Sequence, residues 1–170
     1  MRTETLFVGV GSPHGDDRAG WLVADALSDL FGTDVSAQAS GTLTAGGLAS
    51  RQYPSLAIRK TCIPADLLDW LDGAAKLIIC DALCGAGPAG TLYRWLWPDA
   101  RIGLSHSAGS HDFGLNVVLE LAGRLGRLPA EVVVWGIAAA QAVPNANVSP
   151  EIQQALPVLV QRIRSELGHA

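Results

Sequence analysis

Charge of either sign is scarce in this chain of 170 residues: charged side chains make up 16% of the sequence and apolar residues 49%. A chain so poor in charge and so rich in apolar residues is neither a disordered tail nor a charged coiled coil. Lys and Arg number 12 against 16 Asp and Glu, which gives a net charge of −4, and they form no basic run. We therefore expect no nucleic-acid partner and no attraction to an anionic membrane surface.

Long hydrophobic runs are absent as well, because no stretch approaches the ~18 uninterrupted apolar residues of a membrane span. Residues 1–7 lead into an apolar strand pattern and lack the layout of a signal peptide. Only three cysteines occur, and they form no CxxC pair, which excludes a disulfide scaffold and a zinc ribbon. We therefore expect one cytoplasmic, monomeric domain over residues 1–170 that does not associate with a membrane.

Short apolar runs and helical periodicities alternate along the sequence. The runs that predict strands lie at 6–11, 56–61, 76–81, 91–97 and 131–137. Strands that alternate with helices are typical of a parallel sheet with helices on both faces. We expect an α/β fold of three layers, α/β/α, around a central, mostly parallel sheet of five strands, of the phosphorylase/hydrolase-like kind.

Capping residues and prolines set the predicted helix limits. Helical spacing covers 16–31, with Gly32 just past the end. The last helix has Ser149 as its cap and a proline in the first position, but Pro157 follows after one or two turns, so this helix is expected to be kinked or to start late. Residues 36–50 carry no charge and no period, and we expect a mobile loop there.

Polar residues follow the predicted strands, where an open α/β sheet binds its ligands. Asp16 and Asp17 follow the first strand behind a glycine loop, and Asp81 closes the strand at 76–81. A nucleotide does not suit this loop, since His14 replaces the third glycine of GxGxxG and two carboxylates would repel phosphates. Helix capping explains one aspartate, Asp16, and leaves Asp17 as the better ligand candidate.

His111 comes just before another predicted helix and joins these carboxylates at one edge of the sheet. Asp17, Asp81 and His111 together would form a metal site of two oxygens and one nitrogen, with positions open for water or substrate. No serine, cysteine or threonine has a base beside it in the sequence, and there is no HExxH helix.

Four segments resemble the hydrogenase maturation proteases, in the same order and with similar spacing. They are GVGSPHGDDRAG at 9–20, LIICDA at 77–82, SHDFGL at 110–115 and VVWGI at 133–137. By this resemblance Asp17, Asp81 and His111 match the residues with which the family contacts metal.

The resemblance implies an α/β endopeptidase that removes the C-terminal extension from the large-subunit precursor of a nickel-iron hydrogenase after nickel insertion. It implies nickel at the three matched side chains, or otherwise another divalent metal, and two possibilities stay open: a metal that is bound permanently and a metal that is presented by the precursor. Catalysis would then be of an aspartyl type or metal-dependent. Two alternatives stay open: a chaperone that senses nickel without cutting, and a nucleoside hydrolase or phosphorylase on a related sheet.

Overall fold

The structure, a computed structural model, describes residues 5–37, 56–102, 114–140 and 146–168. A central sheet carries helices on both faces. Its strands are β1 (Thr5–Val10), β2 (Ser36–Ala37), β3 (Leu56–Thr61), β4 (Lys76–Cys84), β5 (Leu92–Leu96) and β6 (Glu131–Ala139). The helices are α1 (Ala19–Phe31), α2 (Leu67–Trp70), α3 (Leu115–Arg124) and α4 (Pro150–Leu167). The α/β/α fold expected from the sequence is confirmed.

The strands lie in the order β2-β3-β1-β4-β6-β5, and all neighbours are parallel except β5 and β6. The mostly parallel sheet is confirmed, and its five longer strands are the five predicted ones. The two-residue strand Ser36–Ala37 adds a sixth at the edge. The expectation of a loop was wrong for these two residues, because the edge of β3 is open and they pair with it. Residues 38–50 of the predicted loop lie outside the described part of the chain.

Alternation along each strand divides the core between the two faces of the sheet. In β1, Phe7 packs with α1 and α4, whereas Leu6, Val8 and Val10 pack with α2 and α3. The four core strands β1, β3, β4 and β6 are thus held from both sides. The carboxyl ends of these strands therefore form a rigid edge of the sheet, and polar side chains at this edge are held in defined positions.

Helix α1 approaches the sheet unusually closely through glycine. A Cβ on Gly20 would lie 2.2 Å from the Val10 carbonyl oxygen and 2.6 Å from that of Cys80. A Cβ on Gly9 would meet the Gly20 carbonyl oxygen at 2.2 Å. The predicted helix at 16–31 is confirmed as one 3₁₀ turn followed by α1, which ends at Gly32 in the left-handed conformation.

Helix α4 begins at its predicted cap. The Ser149 hydroxyl accepts a hydrogen bond from the Ile152 N–H, and Pro150 is the first helical residue. The expectation of a late start was wrong, since Pro157 lies inside a helix that begins at Pro150. Buried residues on both sides of this proline, among them Ile152 and Leu159, hold the two parts of the helix against the sheet.

None of the helices in the described part combines the length and the apolar content that a membrane-spanning helix needs.

We predict that Gly20→Ala destabilises the protein by about 3 kcal/mol or more, because the added methyl group meets main-chain oxygens that cannot move independently. Gly123 in α3 is the matched control, since its Cβ would meet only the flexible Leu128 side chain, at 3.3 Å. Gly123→Ala should be neutral or stabilise by up to ~1 kcal/mol. Urea unfolding measures both variants, and equal stabilities would contradict the close packing.

Candidate active site

The candidate site lies where the strand order reverses. From β1 the chain passes to β3 on one side and later to β4 on the other, so the loop after β1 opens over the crevice between them. The pairing of β1 with β4 ends at Gly9 and Cys80, whereas β4 continues beside β6 as far as Cys84. Asp81 is thus the first residue of β4 beyond its pairing with β1.

Asp81 is deeply buried, with 3% of its surface exposed. One carboxylate oxygen, Oδ1, has no hydrogen-bond partner within the described part of the chain. Burial and, second, the negative charge of Asp17 raise the pKa of Asp81 to about 8, although the Ala82 N–H favours the ionised form. A buried carboxyl oxygen without a partner is costly in a folded protein, so it marks a position where a ligand would be stabilised.

Asp17 reaches the same crevice from the 3₁₀ turn Gly15–Arg18 and is 6% exposed. A hydrogen bond within the loop holds the main chain of Asp17, whose carbonyl oxygen accepts the Ser12 N–H at 3.2 Å. A Cβ on Gly11 would lie 2.0 Å from the same oxygen, so only glycine fits at this position. The fold therefore brings Asp17 and Asp81 close enough to interact electrostatically, although 64 residues separate them in sequence.

Asp16 has a different role from its neighbour. Its carboxylate accepts the Ser149 N–H at 2.7 Å and the Ala140 N–H at 3.1 Å, and the residue is 2% exposed. The interpretation of Asp16 as the cap of its own helix was wrong, since it joins the end of β6 to the start of α4. Its expected structural role, as opposed to that of a ligand, agrees with these contacts.

His111 lies outside the described residues, so its place in the site stays a prediction. Helix α3 begins at Leu115 and leads into the start of β6, so its first turn lies toward the carboxyl edge of the sheet. Its core side chains share a sheet face with Leu77, Ile79 and Leu83, which is also the Asp81 face by alternation. In the described ranges no group of three or more His, Cys, Asp or Glu side chains forms a metal site.

The two carboxylates suit a cation. Carboxylate oxygens are ligands for divalent metals, and Asp81 Oδ1 has a lone pair that no protein group in the described part satisfies. A bound cation would also offset the repulsion between Asp17 and Asp81. The thiol of Cys80 is unsuited as a nucleophile, because burial raises its pKa far above the ordinary value.

Thr61 was not anticipated as a structural support of the site. Its carbonyl oxygen, at the end of β3, accepts the Gly11 N–H at 3.0 Å and the Trp21 indole N–H at 3.1 Å. Its hydroxyl accepts the Ile63 N–H at 2.8 Å and donates to Asp66. The two contacts of the carbonyl oxygen join Thr61 to segments that are distant in sequence, and no sequence pattern predicts them.

The family model described as hydrogenase maturation protease matches residues 62–166, which is more than half of the chain. Asp81 and His111 lie within the matched segment, and Asp17 precedes it. No curated protein matches the chain in sequence.

Solved structures share the fold over nearly the whole chain. The hydrogenase maturating endopeptidase HybD from E. coli is 18% identical, with a TM-score of 0.70 over 99% of this chain and 93% of that one. The hydrogenase 2 maturation peptidase from a Thaumarchaeota archaeon is 25% identical, with a TM-score of 0.58 over 97% and 98%. The [NiFe] hydrogenase maturation protease HycI from Thermococcus kodakarensis is 18% identical, with a TM-score of 0.63 over 98% and 94%.

We predict that the unfolding free energy of the metal-free protein falls as the pH rises from about 4 to about 8. The pKa of Asp81 is about 8 in the folded protein against an ordinary value of 3.8, so in this window the native state holds a proton that the unfolded chain has lost. This stabilising contribution is complete below pH 4 and lost as the pH passes 8, with a limiting slope of about 1.4 kcal/mol per pH unit.

Asp81→Asn should flatten this decline, because an amide does not titrate. Urea unfolding at several pH values, with a chelator present, compares the variant with the wild type. Parallel pH profiles for the two proteins would show that Asp81 has an ordinary pKa.

Proposed function

The chain belongs to the hydrogenase maturation protease family and is an endopeptidase of hydrogenase processing, and we propose that it removes the C-terminal extension of a nickel-iron hydrogenase large subunit after nickel insertion. We place this reaction at Asp17, Asp81 and His111. We further propose that nickel arrives with the precursor as part of the substrate. The processing would take place in the cytoplasm, in line with three cysteines of which none forms a disulfide.

One observation carries the assignment of the site. Two buried carboxylates meet at the switch point of the sheet, and one oxygen of Asp81 has no hydrogen-bond partner in the described part. A purely structural carboxylate would be expected to have its oxygens satisfied, as those of Asp16 are. The arrangement therefore supports a ligand that approaches from the crevice, and a metal on the precursor has the required charge.

Docking on that metal would turn recognition into positioning. Ligands from this chain would complete the coordination of a nickel ion already held by the precursor and would fix the scissile peptide bond beside the carboxylates. One carboxylate of the pair is then placed to accept a proton from the attacking water, and that proton passes to the leaving amine as the peptide bond breaks. A precursor without nickel lacks this anchor.

The acidic site argues against one of the two alternative functions but does not separate the other from a peptidase. A nucleoside hydrolase or phosphorylase would need a phosphate or ribose cradle, and the buried acidic pair is unfavourable to phosphate. A chaperone that senses nickel without cutting would use the same ligands, so a cleavage assay separates it from a peptidase.

We predict that the wild type cleaves a purified precursor only when the precursor contains nickel. Asp17→Asn and Asp81→Asn should each lower the cleavage rate at least ~100-fold, because the neutral amide keeps the shape of the side chain and loses its charge. Mass spectrometry of the precursor, with and without nickel, measures the loss of the C-terminal extension.

The matched control is Asp29→Asn, which changes an exposed aspartate on α1 and should leave cleavage unchanged. Equal cleavage of both precursor forms would contradict gating by nickel. Absence of cleavage by the wild type would favour the chaperone, and full activity of either site variant would remove that residue from the mechanism.

We also predict that the protein alone binds one divalent ion weakly, and that His111→Ala weakens this binding about tenfold or more. Affinity should fall at acid pH, because the imidazole and the carboxylates must be deprotonated to bind a metal. Titration calorimetry with nickel compares the wild type with His111→Ala and with His169→Ala as a histidine control. Unchanged binding by His111→Ala would exclude this residue from the site.

A further inference from the structure

The two carboxylates of the site are held in very different ways. Asp81 belongs to β4, which is paired with β1 on one side as far as Cys80 and with β6 on the other throughout its length. Asp17 instead belongs to a single 3₁₀ turn at the end of a loop. A functional group must be held to within about 0.5 Å to be effective, so the turn is the element whose position needs an external support.

That support comes from the neighbouring residue. The two oxygens of the Asp16 carboxylate accept separate main-chain N–H groups, that of Ser149 at the start of α4 and that of Ala140 just after β6. Gly15 adds a third contact, since its N–H donates to the Ala146 carbonyl oxygen at 3.1 Å. The turn is thereby bonded to the segment that joins β6 to α4, and β6 is the strand that pairs with Asp81.

We propose that Asp16 is a positioning residue that fixes Asp17 relative to Asp81, and this inference rests on the proposed function. Asp16 links the turn that carries Asp17 to β6, and β6 pairs with β4 at Asp81 and Gly136. Hydrogen bonds therefore connect the turn that carries Asp17 with the strand pair that carries Asp81. A carboxylate is required because an asparagine side chain has only one oxygen and can accept only one of the two bonds in the same way.

The contact geometry separates this role from that of a ligand. Asp16 is 2% exposed, and both of its oxygens are already used by main-chain donors. Each Asp16 oxygen thus has a hydrogen-bond partner, unlike Asp81 Oδ1, which has none in the described part of the chain. The effect of Asp16 on the reaction must therefore act through the placement of its neighbour.

The test compares Asp16→Asn with a variant of equal stability whose change lies away from the site. Ile163 in α4 is fully buried, and Ile163→Val or Ile163→Ala is chosen to match Asp16→Asn in urea unfolding. For Asp16→Asn we expect kcat/KM for the nickel-loaded precursor to fall about 10- to 100-fold, because the precursor docks on its nickel and the carboxylates are misplaced relative to the scissile bond. Affinity for nickel alone, measured by calorimetry, should fall about tenfold.

The stability-matched Ile163 variant should keep both values within about twofold of the wild type. If Asp16→Asn and the Ile163 variant behave alike, Asp16 acts only on stability and the inference is overturned. If the wild type binds nickel but cleaves no precursor, the proposed function fails, while the nickel affinities still test the role of Asp16. A wild type that neither binds nickel nor cleaves would have no site to position, and this would also overturn the inference.

Discussion

The repulsion between two carboxylates buried at one point of the sheet is the constraint on which the site depends. Asp17 and Asp81 are almost completely withdrawn from water, and the charge of Asp17 helps to raise the pKa of Asp81 to about 8. Such a pair reduces the stability of the metal-free fold above the ordinary pKa of a carboxyl group. A positive charge that enters the crevice would stabilise this arrangement. Binding of a cation is therefore coupled to the ordering of the two carboxylates.

The rest of the fold supplies the rigidity that this pair requires. Gly9 and Gly20 allow α1 to touch the sheet, which brings the start of α1 against β1 and against β4 at Cys80. Asp16 and Thr61 then fix the loop from two sides, one through β6 and α4 and the other through β3. Segments that are distant in sequence, β3 on one side and the end of β6 with the start of α4 on the other, thus act on the position of one carboxylate.

The mechanism proposed for this site uses no side-chain nucleophile. The buried thiol of Cys80 is held in its neutral form by burial, and the polar groups that meet at the switch point are acids. Specificity would then come from the metal on the precursor, because a site made of carboxylates has little affinity for an ordinary peptide.

The sequence by itself determined the five longer strands, the C-terminal end of α1, the cap of α4 and the acidic residues at the strand ends. It could do so because period, glycine and capping signals are local. It did not determine the short strand Ser36–Ala37 or whether Pro157 delays the start of α4, since pairing and packing decided these two points. Only the tertiary structure decided that Asp16 bonds to Ala140 and Ser149 while Asp81 keeps an oxygen without a partner in the described part. The reason is physical: a hydrogen bond from a main-chain N–H to a side-chain carboxylate more than 100 residues away depends on how the strands lie side by side in the sheet, and no local sequence pattern encodes it.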